Sequence, residues 1–237
     1  MRAAHAGDED PALLDGHQRR RGKATPPEAH REKDARTVRV LVVHSHPNPD
    51  SFVAALDRCV VSTLSGAGHE VRHLDLHAEG FDPAFSLFER LHHTGPPEEK
   101  LAQFPALAHH VDALRWCEHL VLVYPTWWSG LPAMLKGWVD RTFMQGVAWE
   151  LPAGANRIKP LLTNIGGVTV VTTHGSSKFV NMLEGESGKR TVSRAMRFMF
   201  RRRAGFRWLA LYGADSCSAA TREEFMRRVQ RRMEHLR

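Results

Sequence analysis

"HEVRHLDL", residues 69–76, reads in two incompatible ways, and the choice between them decides the fold. On a helix, His69, Glu70 and His73 form the H-E-x-x-H zinc signature, with two imidazoles on the ion and the glutamate as general base. On a strand, residues i and i+4 share a face but stand about 13 Å apart at roughly 3.3 Å per residue. One zinc ion with bonds of about 2 Å does not bridge that gap. The preceding "GAG" (66–68) ends a helix, and Val71, His73 and Asp75 then alternate with Arg72, Leu74 and Leu76. The strand reading wins: His69 falls in a turn, His73 on a strand, and no metal site is expected. The other histidines lack a ligand spacing; His92–His93 and His109–His110 read as loop and helix surface.

With that strand fixed, its neighbours fall into an alternation. "VRVLVVHS" (38–45) is a β-rich apolar run of the kind covered on both faces, and "SFVAALDRCVVSTLSGAG" (51–68) has helical spacing closed by glycines. "VDALRWCEHLVLVYP" (111–125) is a helix end running into a buried strand. "LPAMLKGWVDRTF" (131–143) is a helix with Pro132 near its start, and "GGVTVVTTHG" (166–175) is a β-branched strand. "VSRAMRFMFRRR" (192–203) reads as helix, "RWLALYGAD" (207–215) as strand, and "ATREEFMRRVQRRMEHLR" (220–237) as the last helix, with Thr221 and Glu224 spaced as a capping box. Strand and helix alternate five times. That order predicts an α/β fold of three layers, a doubly wound five-stranded parallel sheet of order 2-1-3-4-5.

The remaining composition narrows the class. Residues 1–36 mix charges of both signs with few apolar side chains, so a disordered tail is expected there and the folded domain over 37–237. The longest apolar runs, such as "LVLVYP" (120–125), are too short to span a bilayer, and no apolar leader stands at the N-terminus. Cys59, Cys117 and Cys217 are odd in number and widely spaced, which points to a reducing, cytoplasmic setting. The net charge of +7 is uneven: residues 178–237 carry 15 basic and 6 acidic side chains, an excess of +9. That excess suits a phosphorylated cofactor or peripheral contact with an anionic membrane. Nucleic acid is not an expected partner, because the segment has no zinc finger, aromatic RNP-like run or basic zipper.

In an open parallel sheet, ligands bind beyond the carboxyl ends of the strands. Three loops there carry the chemistry. "SHPNPDSF" (45–52) opens a helix whose free N–H groups attract anions, with Ser51 or Asp50 as N-cap. It has neither the G-x-G-x-x-G nor the Walker pattern. "YPTWWSGLP" (124–132) places two adjacent tryptophans in a loop, suited to covering a flat ring while the N–H groups of 126–128 reach its polar edge. Trp138, mid-helix, reads as packing. "TTHGSS" (172–177) lets the backbone approach a ligand closely.

"HPNPDSF", "YPTWWSGLPAMLKGWVDRTF" and "TTHGSS", in this order and spacing, resemble the NAD(P)H:quinone oxidoreductase family of flavodoxin-like flavoproteins. The resemblance covers roughly residues 38–237, and the middle motif is its specific part. It implies a flavodoxin-like fold, a tightly held FAD or FMN with FAD favoured, NADPH or NADH as donor, a homodimer, and two-electron reduction of quinone-like acceptors by ping-pong hydride transfer. By motif, His46, Ser51 and Phe52 line the flavin phosphate side. Pro125, Thr126, Trp127 and Trp128 hold the isoalloxazine, and Thr173, His174 and Gly175 its pyrimidine edge. Family members place a tyrosine and a histidine shortly after the third motif, where this chain has "KFVNMLEGESGKR" (178–190). His174, standing where many members have glycine, is the candidate to take over part of that catalytic role. Lys189, Arg190, Arg194 and Arg201–Arg203 are candidates to favour NADPH through its 2′-phosphate. The rival reading is a regulatory or ancillary flavoprotein, such as an efflux-system subunit, in which turnover is incidental.

Overall fold

The computed structural model describes residues 36–236; all but the last residue of the expected tail, 1–36, lies outside them. Five strands, β1 (Arg39–His44), β2 (Glu70–Asp75), β3 (His119–Pro125), β6 (Gly167–His174) and β7 (Gly205–Tyr212), form one parallel sheet. Their order is β2-β1-β3-β6-β7, which is 2-1-3-4-5 when the main strands are counted along the chain. A separate antiparallel pair joins β4 (Trp149–Glu150) to β5 (Lys159–Pro160).

The sheet's sidedness follows from the period of two along each strand. Leu41 and Val43 of β1, with Leu120, Leu122 and Tyr124 of β3, face one core, completed by α4 (Ala108–Trp116) and α5 (Ala133–Thr142). Val40 and Val42, with Val121 and Val123, face a second core under α1 (Phe52–Gly66) and α8 (Ala219–Glu234). Each fully buried leucine or valine contributes about 1.5–3 kcal/mol relative to exposure, so both faces must be covered. Trp138 is fully buried, as its mid-helix place suggests.

The opening stretch is the edge strand. His69 Nδ1 accepts from the Val38 N–H at 3.3 Å, and His73 Nε2 pairs with Asp57 of α1 at 2.9 Å. The two histidines serve different neighbours.

Three local readings are corrected. The stretch 192–203 is helical only as far as Phe198. After α6 (Lys178–Leu183) and α7 (Ser187–Arg190), a wide π-type segment spans Thr191–Met196, and Phe200 then leaves it to bridge Leu162 and bury its ring. Packing of Phe200 overrides the local helical period. The last helix is capped by Ser218, which accepts from the Thr221 N–H at 3.1 Å, because the chain turns helical at Ala219, two residues before the Thr221–Glu224 pair. His110 is buried rather than on the helix surface, and burial pushes its pKa down to about 3. Its ring and that of His109 lie beside Glu79, at 3.6 and 3.1 Å from the carboxylate.

The long connection from β2 to α4 carries α2 (Leu87–Leu91) and α3 (Pro97–Gln103), which sequence patterning missed. Ser86 and Glu89 form a capping box on α2, and Glu89 also receives Arg141 Nε of α5 at 2.7 Å in a buried ion pair. Arg141 Nη1 donates to the Asp82 carbonyl at 2.6 Å, so the connection is fastened to the helix that follows the tryptophan loop. Among the described residues, no helix is long and apolar enough to cross a membrane.

Candidate functional site

The loops after β1, β3 and β6 come together at the carboxyl end of the sheet. A crevice of about 460 Å³ is lined by Pro125, Thr126, Trp127 and Trp128, by Thr173 and Gly175, and by Ala214 and Asp215 of the loop after β7. The His46 ring stands 6.3 Å from the Trp127 ring, which brings the first loop alongside the second. Ser51 Oγ accepts from the Ala54 N–H at 3.1 Å and caps α1, so its hydroxyl hydrogen is still free to donate. Phe52 packs against the second core rather than standing open.

The tryptophan loop is held in an unusual backbone. Trp128 and Ser129 both have positive φ, 49° and 56°, and Gly130 N–H closes the turn on the Trp127 carbonyl at 3.0 Å. Left-handed non-glycine residues cost of order 1 kcal/mol or more each, and such outliers persist where neighbours over-determine them. Here the Ser129 carbonyl receives Gly188 N–H at 3.0 Å and the Ser187 hydroxyl, while the Ser129 hydroxyl donates to Glu184. The result is a fully exposed Trp128 ring beside a half-exposed Trp127.

The donors differ in part from expectation. Thr126 N–H is committed to the Thr173 carbonyl at 2.8 Å and Trp127 pairs with Gly130 in an antiparallel bridge, whereas among the described residues no backbone carbonyl accepts from the N–H groups of Trp128 or Gly175. Two main-chain donors, of Trp128 and Gly175, therefore remain uncommitted at residues that line the crevice. Gly175 is matched to its surroundings: a Cβ there would lie 2.4 Å from an Asp215 carboxylate oxygen.

His174 does not line the crevice. Its ring stacks on Tyr212 at 4.6 Å and borders an adjoining hollow of about 230 Å³ with Trp128, Asn181 and Glu184. Thr126 Oγ1 lies 3.0 Å from Thr172 Oγ1 and 3.4 Å from His174 Nε2, linking that hollow to the crevice. Burial pushes the His174 pKa down, against a smaller opposing effect of the nearby Asn181 side chain, so the ring is neutral at neutral pH, and among the described residues its Nδ1 has no partner at hydrogen-bond distance. Asp215, Glu184 and Ser187 went unread in the sequence, since the first two sit in turns and Ser187 opens the four-residue helix α7, too short to show a period; only their places after strands β6 and β7 could have flagged them.

The basic residues split. Lys189 pairs with Glu186 at 2.9 Å near the tryptophan loop. Arg201–Arg203 directly precede β7, at the amino end of the sheet. The eight residues of β6 separate the two ends by about 23 Å at roughly 3.3 Å per step. Those three arginines lie at the opposite end of the sheet from the crevice.

The family model described as "Flavodoxin-like fold" matches residues 38–236. The chain belongs to this family. Among curated proteins, flavodoxin-like relatives include a ribosyldihydronicotinamide dehydrogenase-like protein of Penicillium crustosum, 34% identical over 46% of this chain and 45% of its own length. The ribosyldihydronicotinamide dehydrogenase [quinone] of Pongo abelii is 32% identical over 48% and 54%. NAD(P)H dehydrogenase [quinone] 1 of Cavia porcellus is 30% identical over 61% and 56%. The chain spans about half the length of the curated relatives it matches. Among solved structures, Smu.1420 of Streptococcus mutans superposes with a TM-score of 0.72 at 26% identity, over 84% of this chain and all of that one. The NAD(P)H:quinone oxidoreductase of Methanothermobacter marburgensis, at 22% identity and a TM-score of 0.69 over 85% of this chain and all of that one, shares the fold.

Proposed function

We propose that this flavodoxin-like chain is an NAD(P)H-dependent flavin oxidoreductase that reduces a quinone-like acceptor. The observation that carries the reading is the crevice itself: an exposed indole face, uncommitted N–H groups at 128 and 175, and a volume within the usual range for small-ligand pockets. That donor set fits a flat ring with an acceptor-rich edge, as in FAD or FMN. The names of the relatives agree in chemistry.

A bound flavin supplies two-electron transfer between a nicotinamide donor and the acceptor. The protein's residues orient and stabilise. Trp127 and Trp128 would hold the ring, and the N–H groups of 128 and 175 would donate to a polar edge, where preorganised dipoles stabilise added negative charge. Asp215 keeps phosphate away from its side of the crevice by like-charge repulsion. The phosphate then belongs near His46 and Ser51, where the start of α1 offers free N–H groups. His174, neutral and with a free Nδ1, is placed to hold or release a proton beside the crevice. A homodimer is supported by Phe179, Met182 and Leu183, exposed on α6 next to the His174 hollow.

The test is steady-state turnover of NADH or NADPH with a soluble quinone. Rapid turnover that His174→Ala slows while flavin stays bound supports the full reading. Flavin binding without turnover would instead favour an ancillary flavoprotein.

A further inference from the structure

The end of the sheet away from the crevice holds a second hollow, of about 560 Å³, and its lining is unlike the first. Arg194, Arg197, Arg201, Arg202 and Arg203 surround it, Phe198 stands exposed at its side, and no carboxylate lines it. Among the described residues none of the five arginines forms an ion pair, although eleven such pairs occur elsewhere. Arg201 Nε makes one long bond, 3.4 Å, to the Thr163 carbonyl.

The backbone is what gathers these charges. Three consecutive side chains diverge by about 100° per residue on a helix and alternate faces on a strand. Arg201–Arg203 do neither, because they form a turn closed by Ala204 N–H on the Arg201 carbonyl at 2.8 Å, with Arg203 at φ 68°. Arg194, in the π-type segment, and Arg197, just after it, are three residues apart and reach the same hollow. Five like charges around one cavity repel one another unless an anion enters. The guanidinium fork matches phosphate oxygens two at a time, and the exposed ring of Phe198 offers a face to an aromatic group.

We propose that this hollow is a binding site for a small soluble ligand carrying two or more phosphate groups and an aromatic part, the chemistry of a nucleoside polyphosphate. The volume lies within the range of small-molecule pockets. The separation of the two ends lets this ligand and the contents of the crevice bind together.

The experiment is calorimetric titration of the full-length protein, as purified, with ATP and with inorganic tripolyphosphate near physiological salt. One saturable site for each is expected, with affinity falling as salt rises. Arg194→Glu/Arg202→Glu, at exposed positions, should weaken both ligands at least tenfold without moving the melting temperature. Phe198→Ala should weaken ATP more than tripolyphosphate, and Trp127→Ala, at the opposite end, should change neither. If the double variant does not fold, the single Arg202→Ala variant carries the same comparison with a smaller loss. Absence of saturable binding at millimolar ligand overturns the site, as does binding indifferent to the arginine changes. Loss of ATP binding in Trp127→Ala would place the nucleotide in the crevice instead. Binding only to phosphatidylglycerol vesicles would make the surface a membrane contact and end the small-molecule reading.

Discussion

The two ends of the sheet are built from the same strands yet solve opposite problems. At the carboxyl end, the loops after β3, β6 and β7 surround a crevice whose attractions are neutral: main-chain N–H groups, hydroxyls and indole faces, with Asp215 at one side. At the amino end, the hollow is cationic and its attraction is Coulombic. On the proposed reading, shape and directed hydrogen bonds would select a ligand at the first, and charge, sensitive to salt, would select at the second. Net charge alone would have merged the two.

Substitutions can pull the ends apart. The largest effect is expected at Gly137 of α5, where an added Cβ would lie 2.2 Å from the Pro83 carbonyl oxygen. Because the obstacle is backbone, Gly137→Ala should cost about 3 kcal/mol, at the upper end for overpacking, and loosen the helix that carries the tryptophan loop. Denaturant melts check the cost, and ligand titrations check that the crevice suffers more than the arginine hollow.

Histidines mark the ends of neighbouring strands. His119 opens β3, has Thr169 Oγ1 2.9 Å from its Nε2, and is pushed by burial down to about 4. The unfolded chain takes up that proton near the ordinary value of 6.5, before the folded chain does. His119 therefore lends stability that is complete above pH 6.5 and is lost as pH falls toward 4, on the order of 3 kcal/mol in all. His119→Gln should flatten a stability profile over that window; an unaltered slope would contradict the assignment.

Trp128→Gly should separate function from folding. Glycine accepts a φ of 49° without strain, so the melting temperature should hold or rise. Flavin affinity should fall roughly 30-fold, about 2 kcal/mol, the scale of lost ring stacking. A fall in both would show that the indole is structural. The smallest change concerns assembly: Leu183→Asp on exposed α6 should shift light-scattering mass toward the monomer while leaving the fold intact.

Much of this was legible in the residues. The main strands announce themselves because β1, β3 and β6 are buried on both faces and are built mostly from apolar and β-branched residues, and β2 declares its edge position by alternation. The Trp127–Trp128 pair could be read as a ligand loop, and His46, Thr173 and Gly175 gather where the fold directs them. Less legible were features set by distant partners. The commitment of Thr126 N–H depends on sheet register, the breakage of 192–203 depends on Phe200 finding Leu162, and Asp215 enters the crevice only through the turn after β7. The arginine run showed its charge in the sequence but not its location.

The central claim, a flavin in the carboxyl-end crevice, is most directly tested by titrating flavin-free protein with FAD and FMN and following flavin fluorescence. Saturation at one flavin per chain is predicted, weakened roughly 30-fold by Trp127→Ala, about 2 kcal/mol, and unchanged by Arg202→Glu. Failure of either flavin to saturate, or a loss that follows Arg202 rather than Trp127, would contradict it.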